Sequence, residues 1–262
     1  FTYQVHQPDL FKILYQKFKG DQWMLYHGLD LLGFKRFPKP VEDVSRNATR
    51  ILFNSKATKN LFTELGFSSA APQDVIYPFL DEDHLRALKL YSVDQLESSI
   101  GVDLKNTIVF TSICRLVKRK GIHFAIDIVE TLIKDKHFNI QYFIGGAGPE
   151  MQFLKDKVER IGLSAHIHFL GYVDDLLKYS LLNKSKVFLM PNYDDGGGDF
   201  EGFGISFLEA GYYGNHVIAG NHGGAIEAME ALDDFDLVDV HNKHDLKRIE
   251  NKLAKLLEGY AN

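Results

Sequence analysis

From about residue 105 to residue 240 the chain alternates short runs of β-branched and aromatic residues with longer amphipathic ones. TIVFTSI (107–113), IQYFIG (140–145), HIHFLG (166–171), KVFLM (186–190), HVIAG (216–220) and DLVDV (236–240) read as strands. Between them GIHFAIDIVETLIKD, PEMQFLKDKVERIG and DLLKYSLLNK carry the helical period, with short connections on either side. Parallel strands need a crossover, and a helix supplies it. This order therefore predicts an α/β, doubly wound parallel sheet of Rossmann-like type. Ligands of such sheets bind outside the carboxyl ends of the strands. Residues 1–80 read as a separate, partial N-terminal domain, with one clear strand-helix pair (51–65), a β-rich run VIYPF (75–79) and an irregular segment around Pro38 and Pro40. The expected division is 1–80, then 81–240 as the ligand-binding domain, then a C-terminal helix in 241–262. Leu246, Ile249, Leu253, Leu256 and Leu257 share one face of that helix, which suits a core-facing or a membrane-surface role.

Size and charge remove several classes of function. A chain of 262 residues, 45% hydrophobic, can bury a large core and more than one domain. A net charge of −5 argues against a nucleic-acid binder that relies on bulk attraction to phosphate. The single cysteine, Cys114, rules out an internal disulfide framework and fits a reducing, cytoplasmic compartment. No apolar run approaches the ~20 residues of a membrane span. The sequons at Asn47-Ala48-Thr49 and Asn183-Lys184-Ser185 are short patterns, and the cysteine count points away from secretion. The eleven histidines show no metal-ligand spacing, and Asp194-Asp195 has no partner acid, so no metal is expected. The first residue is Phe1 rather than methionine, which suggests a fragment.

Candidate chemistry gathers where strands end. After 107–113 comes CRLVKRKG, with Arg115 and Lys120 five apart and Gly121 opening a helix. Two cations beside free helical N–H groups make a site for a doubly charged phosphate group, although the same turn also reads as a solvated basic surface. GGAGPE (145–150) is a glycine turn without GxGxxG spacing. It reads as a ligand loop or merely as a tight connection, and a dinucleotide-dependent dehydrogenase is disfavoured. PNYDDGGGDF leads into EGFGISFLE, where Glu201 and Glu209 stand eight apart around Gly202 and Gly204. With a helix starting near Gly204, the two carboxylates would straddle a molecule with an anionic middle and hydroxyl-bearing ends, such as a nucleoside diphosphate sugar. The plainer alternative makes Glu201 an exposed loop acid and Glu209 one half of a local ion pair.

Taken in order, RLVKRKG, FIGGAGP, HFLGYVDDLLKYSLLNKSKVFLMPN, EGFGISFLEAG and VIAGNHGGAIEAM resemble the motifs of the retaining glycosyltransferases of family four (glycosyl transferases group 1), which have the GT-B fold. ILFNSKATKNLFTELG and VIYPFLDEDH resemble that family's hinge region, so the resemblance covers roughly residues 50 to 230. It implies transfer of a sugar, with retention, from a UDP-, GDP- or ADP-sugar to an acceptor hydroxyl on a glycan, lipid or small molecule. No cofactor beyond that donor is implied, and membrane contact follows only if the acceptor is a lipid. The alternative is a non-catalytic nucleotide-sugar-binding subunit or truncated homologue acting with a partner, since the first part of the N-terminal domain is expected to be missing.

Carried over residue by residue, the resemblance gives Arg115 and Lys120 the diphosphate, Glu201 the hydroxyls of the transferred sugar, and Glu209 the ribose. Phe203 and Gly204 would present backbone N–H groups to phosphate or sugar, and Tyr172 and Val173 would touch the nucleobase. Gly223, Gly224 and Glu227 match a GGxxE element of more structural character. His27, in MLYHGLD, matches a family histidine near the donor sugar, and it has a structural reading as well. The chain departs from the family at Cys114, at Asn215-His216, where a residue-proline pair is usual, and at Phe79-Leu80.

Overall fold

The computed structural model describes residues 20–34, 45–46, 48–196 and 200–259. They form two compact units. The first comprises the described residues up to Phe79 with those of Asp194–Gly204 and His222–Glu227. The second comprises Leu80–Tyr193, Ile205–Asn221 and the described residues from Ala228 onward.

In the first unit β1 (Trp23–Tyr26), β2 (Arg50–Phe53) and β3 (Gln73–Val75) form a parallel sheet in the order β1-β2-β3. α1 (Leu29–Phe34) follows β1, and α2 (Lys56–Glu64) follows β2. The core is aromatic: Tyr26, Phe53 and Phe62 are each at most 1% exposed, with Phe53 and Phe62 edge to face at 5.4 Å. Ser55 caps α2 by accepting a 2.9 Å bond from the Thr58 N–H. This cap also explains why β3 ends at Val75, the first residue of the 75–79 run. β2 turns into the cap after Phe53, so the 2.8 Å bond from Ile76 N–H to the Phe53 carbonyl ends the pairing.

In the second unit α3 (Glu82–Ala87) and α4 (Val93–Ile100) precede the sheet. The strands are β4 (Ile108–Ile113), β5 (Ile140–Gly145), β6 (Ile167–Gly171), β7 (Val187–Met190), β8 (His216–Gly220) and β9 (Phe235–Val238). All pair in parallel, in the order β6-β5-β4-β7-β8-β9. Its helices are α5 (Ile122–Lys134), α6 (Met151–Arg160), α7 (Asp175–Lys184), α8 (Ile205–Tyr212) and α10 (Lys243–Glu258), while α9 (Ala225–Met229) has Ala225–Glu227 in the first unit and Ala228 and Met229 in the second. The expected doubly wound sheet is therefore present. Its winding reverses between β4 and β7, and the crevice outside their carboxyl ends is where such sheets bind ligands.

Both faces of the central strands are buried, as an all-parallel sheet requires. Phe110, Tyr142, Phe143, Val187 and Leu189 are 0% exposed. α5 covers one face with Ile126, Val129 and Leu132. The sequence alone sets 241–262 apart, whereas α10 buries Ile249, Leu253 and Leu257 in this same core. Its apolar stripe packs on its own unit. Among the described residues no helix is long and apolar enough to cross a membrane. The Asn215-His216 departure is also accommodated here. Asn215 donates to the Leu182 carbonyl at 2.8 Å, and the His216 ring lies 2.6 Å from Asp234 and 3.0 Å from Asp236.

Candidate active site

In the second unit, β4 delivers the chain to Cys114 and Arg115, and a 3₁₀ turn over Lys118–Lys120 leads through Gly121 into α5. Gly121 has φ +69°, and a Cβ there would collide with the Pro191 carbonyl oxygen after β7. Only glycine lets the turn that carries Lys120 come that close to the end of β7. Arg115 is exposed, while Lys120 keeps only 8% of its surface. No side chain caps α5, and with the Phe124 N–H already given to the Gly121 carbonyl at 2.9 Å, the Ile122 and His123 N–H groups are those left to an anion.

The 145–150 glycine turn proves to be a support for this loop. Cys114 N–H donates to the Gly145 carbonyl at 3.0 Å, Leu116 N–H to Ala147 at 2.9 Å, and Glu150 N–H to Leu116 at 3.0 Å. A Cβ on Gly146 or Gly148 would overlap the carbonyl oxygens of Cys114 and Leu116 respectively. The turn thus holds the backbone on either side of Arg115. Val173 packs against Gly145, with a Cβ at that glycine only 3.1 Å from Val173 Cγ2, while Tyr172 is 87% exposed beyond β6.

Glu209 lies in the second turn of α8 with its side chain 12% exposed. The Lys178 ammonium is 2.8 Å from Glu209 Oε1, and the Tyr179 hydroxyl donates to the same oxygen at 2.9 Å. Burial works to lower the Lys178 ammonium, but hydrogen bonds to Glu209 and Tyr179 and the Glu209 charge outweigh it and hold it above its usual range. The local ion pair is real, and its partner was invisible in the sequence, where Lys178 is one residue of a helical pattern. Lys178 also meets Asp175, three residues earlier on its own helix, at 3.2 Å.

Glu201, Phe203 and Gly204 belong to the first unit. Glu201 is not an exposed loop acid: it is 7% exposed. Its carbonyl accepts the Gly224 N–H at 2.8 Å. Gly202 sits against the His27 carbonyl, where a Cβ would overlap it, and lies close to Asn54. Phe203, 4% exposed, packs its ring 5.7 Å from Tyr77. His27 itself is exposed, its backbone N–H held by Asp30 at 3.0 Å.

Glu227 takes the structural part its motif implied. Its two carboxylate oxygens accept the N–H groups of Lys56 and Ala57, both at 2.7 Å, at the start of α2. An anion there satisfies two unpaired donors and the positive helix end at once. Partial burial and a hydrogen bond to Glu227 push the Tyr77 hydroxyl up. Glu227→Ala should destabilise the protein by about 1–3 kcal/mol, with Glu227→Gln between the two. Urea unfolding measures this, and an unchanged midpoint for Glu227→Ala would show that the cap contributes nothing.

Among the described residues no group of three or more His, Cys, Asp or Glu side chains is arranged to hold a metal ion.

The family model described as glycosyl transferases group 1 matches residues 96–261. The chain is 31% identical over 217 residues to the GDP-mannose-dependent alpha-(1-6)-phosphatidylinositol monomannoside mannosyltransferase of Mycobacterium tuberculosis, covering 79% of this chain and 52% of that one. It is 27% identical to the alpha-1,3/1,6-mannosyltransferase ALG2 of Dictyostelium discoideum, covering 70% and 47%. The chain thus spans about half the length of these curated relatives. Among solved structures, Anabaena Alr3699/HepE in complex with UDP-glucose superposes with a TM-score of 0.74 at 22% identity, covering 97% of this chain and 69% of that one. Sucrose-phosphate synthase from Thermosynechococcus elongatus gives 0.73 at 18% identity, covering 99% and 64%. At these identities the structural matches establish the fold, that of the GT-B glycosyltransferases.

Proposed function

We propose that this chain, which belongs to the glycosyl transferases group 1 family, binds a nucleoside diphosphate sugar and serves retaining transfer of that sugar to an acceptor hydroxyl. The observation that carries the reading is the loop from Cys114 to Gly121. It lies at the point where the sheet reverses its winding, carries Arg115 and Lys120, and opens α5 without a side-chain cap. A half-buried carboxylate, Glu209, belongs to the same unit and suits ribose hydroxyls. Breaking the anomeric C–O bond leaves negative charge on the diphosphate and positive character on the sugar. Arg115, Lys120 and the α5 N–H groups would stabilise the departing diphosphate. Tyr172 and Val173 are assigned to the nucleobase. The roles of Glu201, Phe203 and Gly204 on the sugar rest on their motif.

A GDP-mannose-dependent enzyme and a UDP-glucose complex both stand among the relatives, so the test offers several bases. Titration calorimetry with UDP, GDP and ADP should find binding to at least one, unchanged by EDTA. Glu209→Ala should weaken that nucleotide by roughly tenfold, the scale of one charge-assisted hydrogen bond. Glu201→Ala should spare the nucleotide and depress transfer. Absence of binding to all three would remove the reading, and equal losses of nucleotide affinity in both variants would undo the division of roles.

A further inference from the structure

We infer that Lys178 and Tyr179 form a clamp that orients the Glu209 carboxylate for a ribose diol, which makes Lys178 a positioning residue for the nucleotide. The inference rests on the proposed nucleotide site. The clamp joins neighbouring helices, Lys178 and Tyr179 on α7 and Glu209 on α8.

Both donors converge on one oxygen, with Lys178 Nζ at 2.8 Å and the Tyr179 hydroxyl at 2.9 Å from Oε1. Among the described residues, Oε2 accepts no hydrogen bond. Glutamate has several rotatable bonds, and free in solution its carboxylate samples many directions. Two donors on one oxygen remove that freedom and leave the second oxygen for a ligand. A carboxylate has about four lone-pair sites, enough for both protein donors and both hydroxyls of a ribose diol.

The surroundings strengthen the clamp. The Lys178 and Glu209 side chains are only 16% and 12% exposed, so solvent screens their attraction weakly. The ammonium lies 4.1 Å from the centre of the Tyr179 ring, and its other anionic contact is Asp175 at 3.2 Å. The Tyr213 ring packs 5.8 Å from that of Tyr179 and screens this side. Lys178 is thereby held by a ring below and carboxylates beside it. This much constraint exceeds what a surface ion pair shows.

The test uses the 262-residue protein with GDP and UDP and their 2′,3′-dideoxy counterparts. Lys178→Met keeps the apolar stem and removes the charge. It should weaken the ribonucleotide about tenfold and the dideoxynucleotide less than about twofold, since the clamp acts through the missing hydroxyls. Lys178→Arg should recover most of the loss, and Glu209→Gln combined with Lys178→Met should be no weaker than Glu209→Gln alone. Equal losses for both nucleotide types would overturn the inference, because Lys178 would then act on phosphate, base or fold. A second arm needs no nucleotide. In spectra of ¹⁵N-labelled lysine ammonium groups, the Lys178 signal should persist in the wild-type protein and vanish in Glu209→Gln. If the protein bound none of UDP, GDP and ADP, the proposed function would fall while this arm still judged the clamp. A Lys178 signal that survives Glu209→Gln would refute it.

Discussion

Gly146→Ala should unfold the second unit at markedly lower urea concentration and cost about 3 kcal/mol or more. Two effects add at this position. Gly146 has φ +128°, a conformation L-residues rarely adopt, and an added Cβ would overlap the Cys114 carbonyl oxygen. Relief by movement is blocked on both sides. Gly146 donates to the Gly171 carbonyl at 2.6 Å, and Cys114 donates to Gly145 at 3.0 Å. β4 and β5 pair in unbroken register, and β5 pairs with β6 on either side of a register shift between Ile144 and Gly145. Against a total stability of roughly 5–15 kcal/mol for a typical domain, the loss is a large share. Gly162→Ala is the matched control: φ is +72°, yet nothing lies within 4 Å of the added Cβ. It should cost only about 1–2 kcal/mol of backbone strain. Unfolding curves for the two variants separate steric collision from strain, and coincident midpoints would mean that the close approach at Cys114 relaxes freely.

That glycine also marks what the sequence could and could not convey. The alternation of β-rich and amphipathic runs predicts the sheet, because period and turn residues are local properties. IQYFIG and HVIAG match β5 and β8, and DLLKYSLLNK matches α7. α3 and α4 escape a search for apolar stripes because each buries one residue, Leu85 and Leu96. Their signals are caps instead: Asp81 before α3, and for α4 the Ser92–Gln95 capping box with Gly101 in the left-handed region. The site divides the same way. Glycines and cations at strand ends are visible in a string of letters, so Arg115, Lys120, Glu201 and Glu209 were nameable. Their partners were not. Gly146 needs Cys114, 32 residues earlier, and Glu209 needs Lys178, 31 residues earlier on another helix. Only packing discloses such pairs.

The largest binding effect should come from removing both cations of the Cys114–Gly121 loop. Lys120→Ala alone should weaken a nucleoside diphosphate by roughly tenfold, and Arg115→Ala with Lys120→Ala by roughly a hundredfold, at about 1.5 kcal/mol for each charge-assisted contact. The free nucleoside lacks phosphate, so its affinity should stay within about twofold, provided the loop keeps its shape. The unequal exposure of the two cations adds a sharper test. Arg115 is exposed and its attraction is open to counterions, whereas Lys120, at 8% exposure, is less screened. Raising the salt concentration should therefore erode the Arg115 share of diphosphate binding faster than the Lys120 share. Lys120→Met, which keeps the buried stem, should reproduce the binding loss of Lys120→Ala with a smaller drop in melting temperature. Calorimetry on the single and double variants at two salt concentrations measures all of these quantities. Equal weakening of nucleoside and nucleoside diphosphate would mean that the loop shapes the fold and does not hold the phosphates.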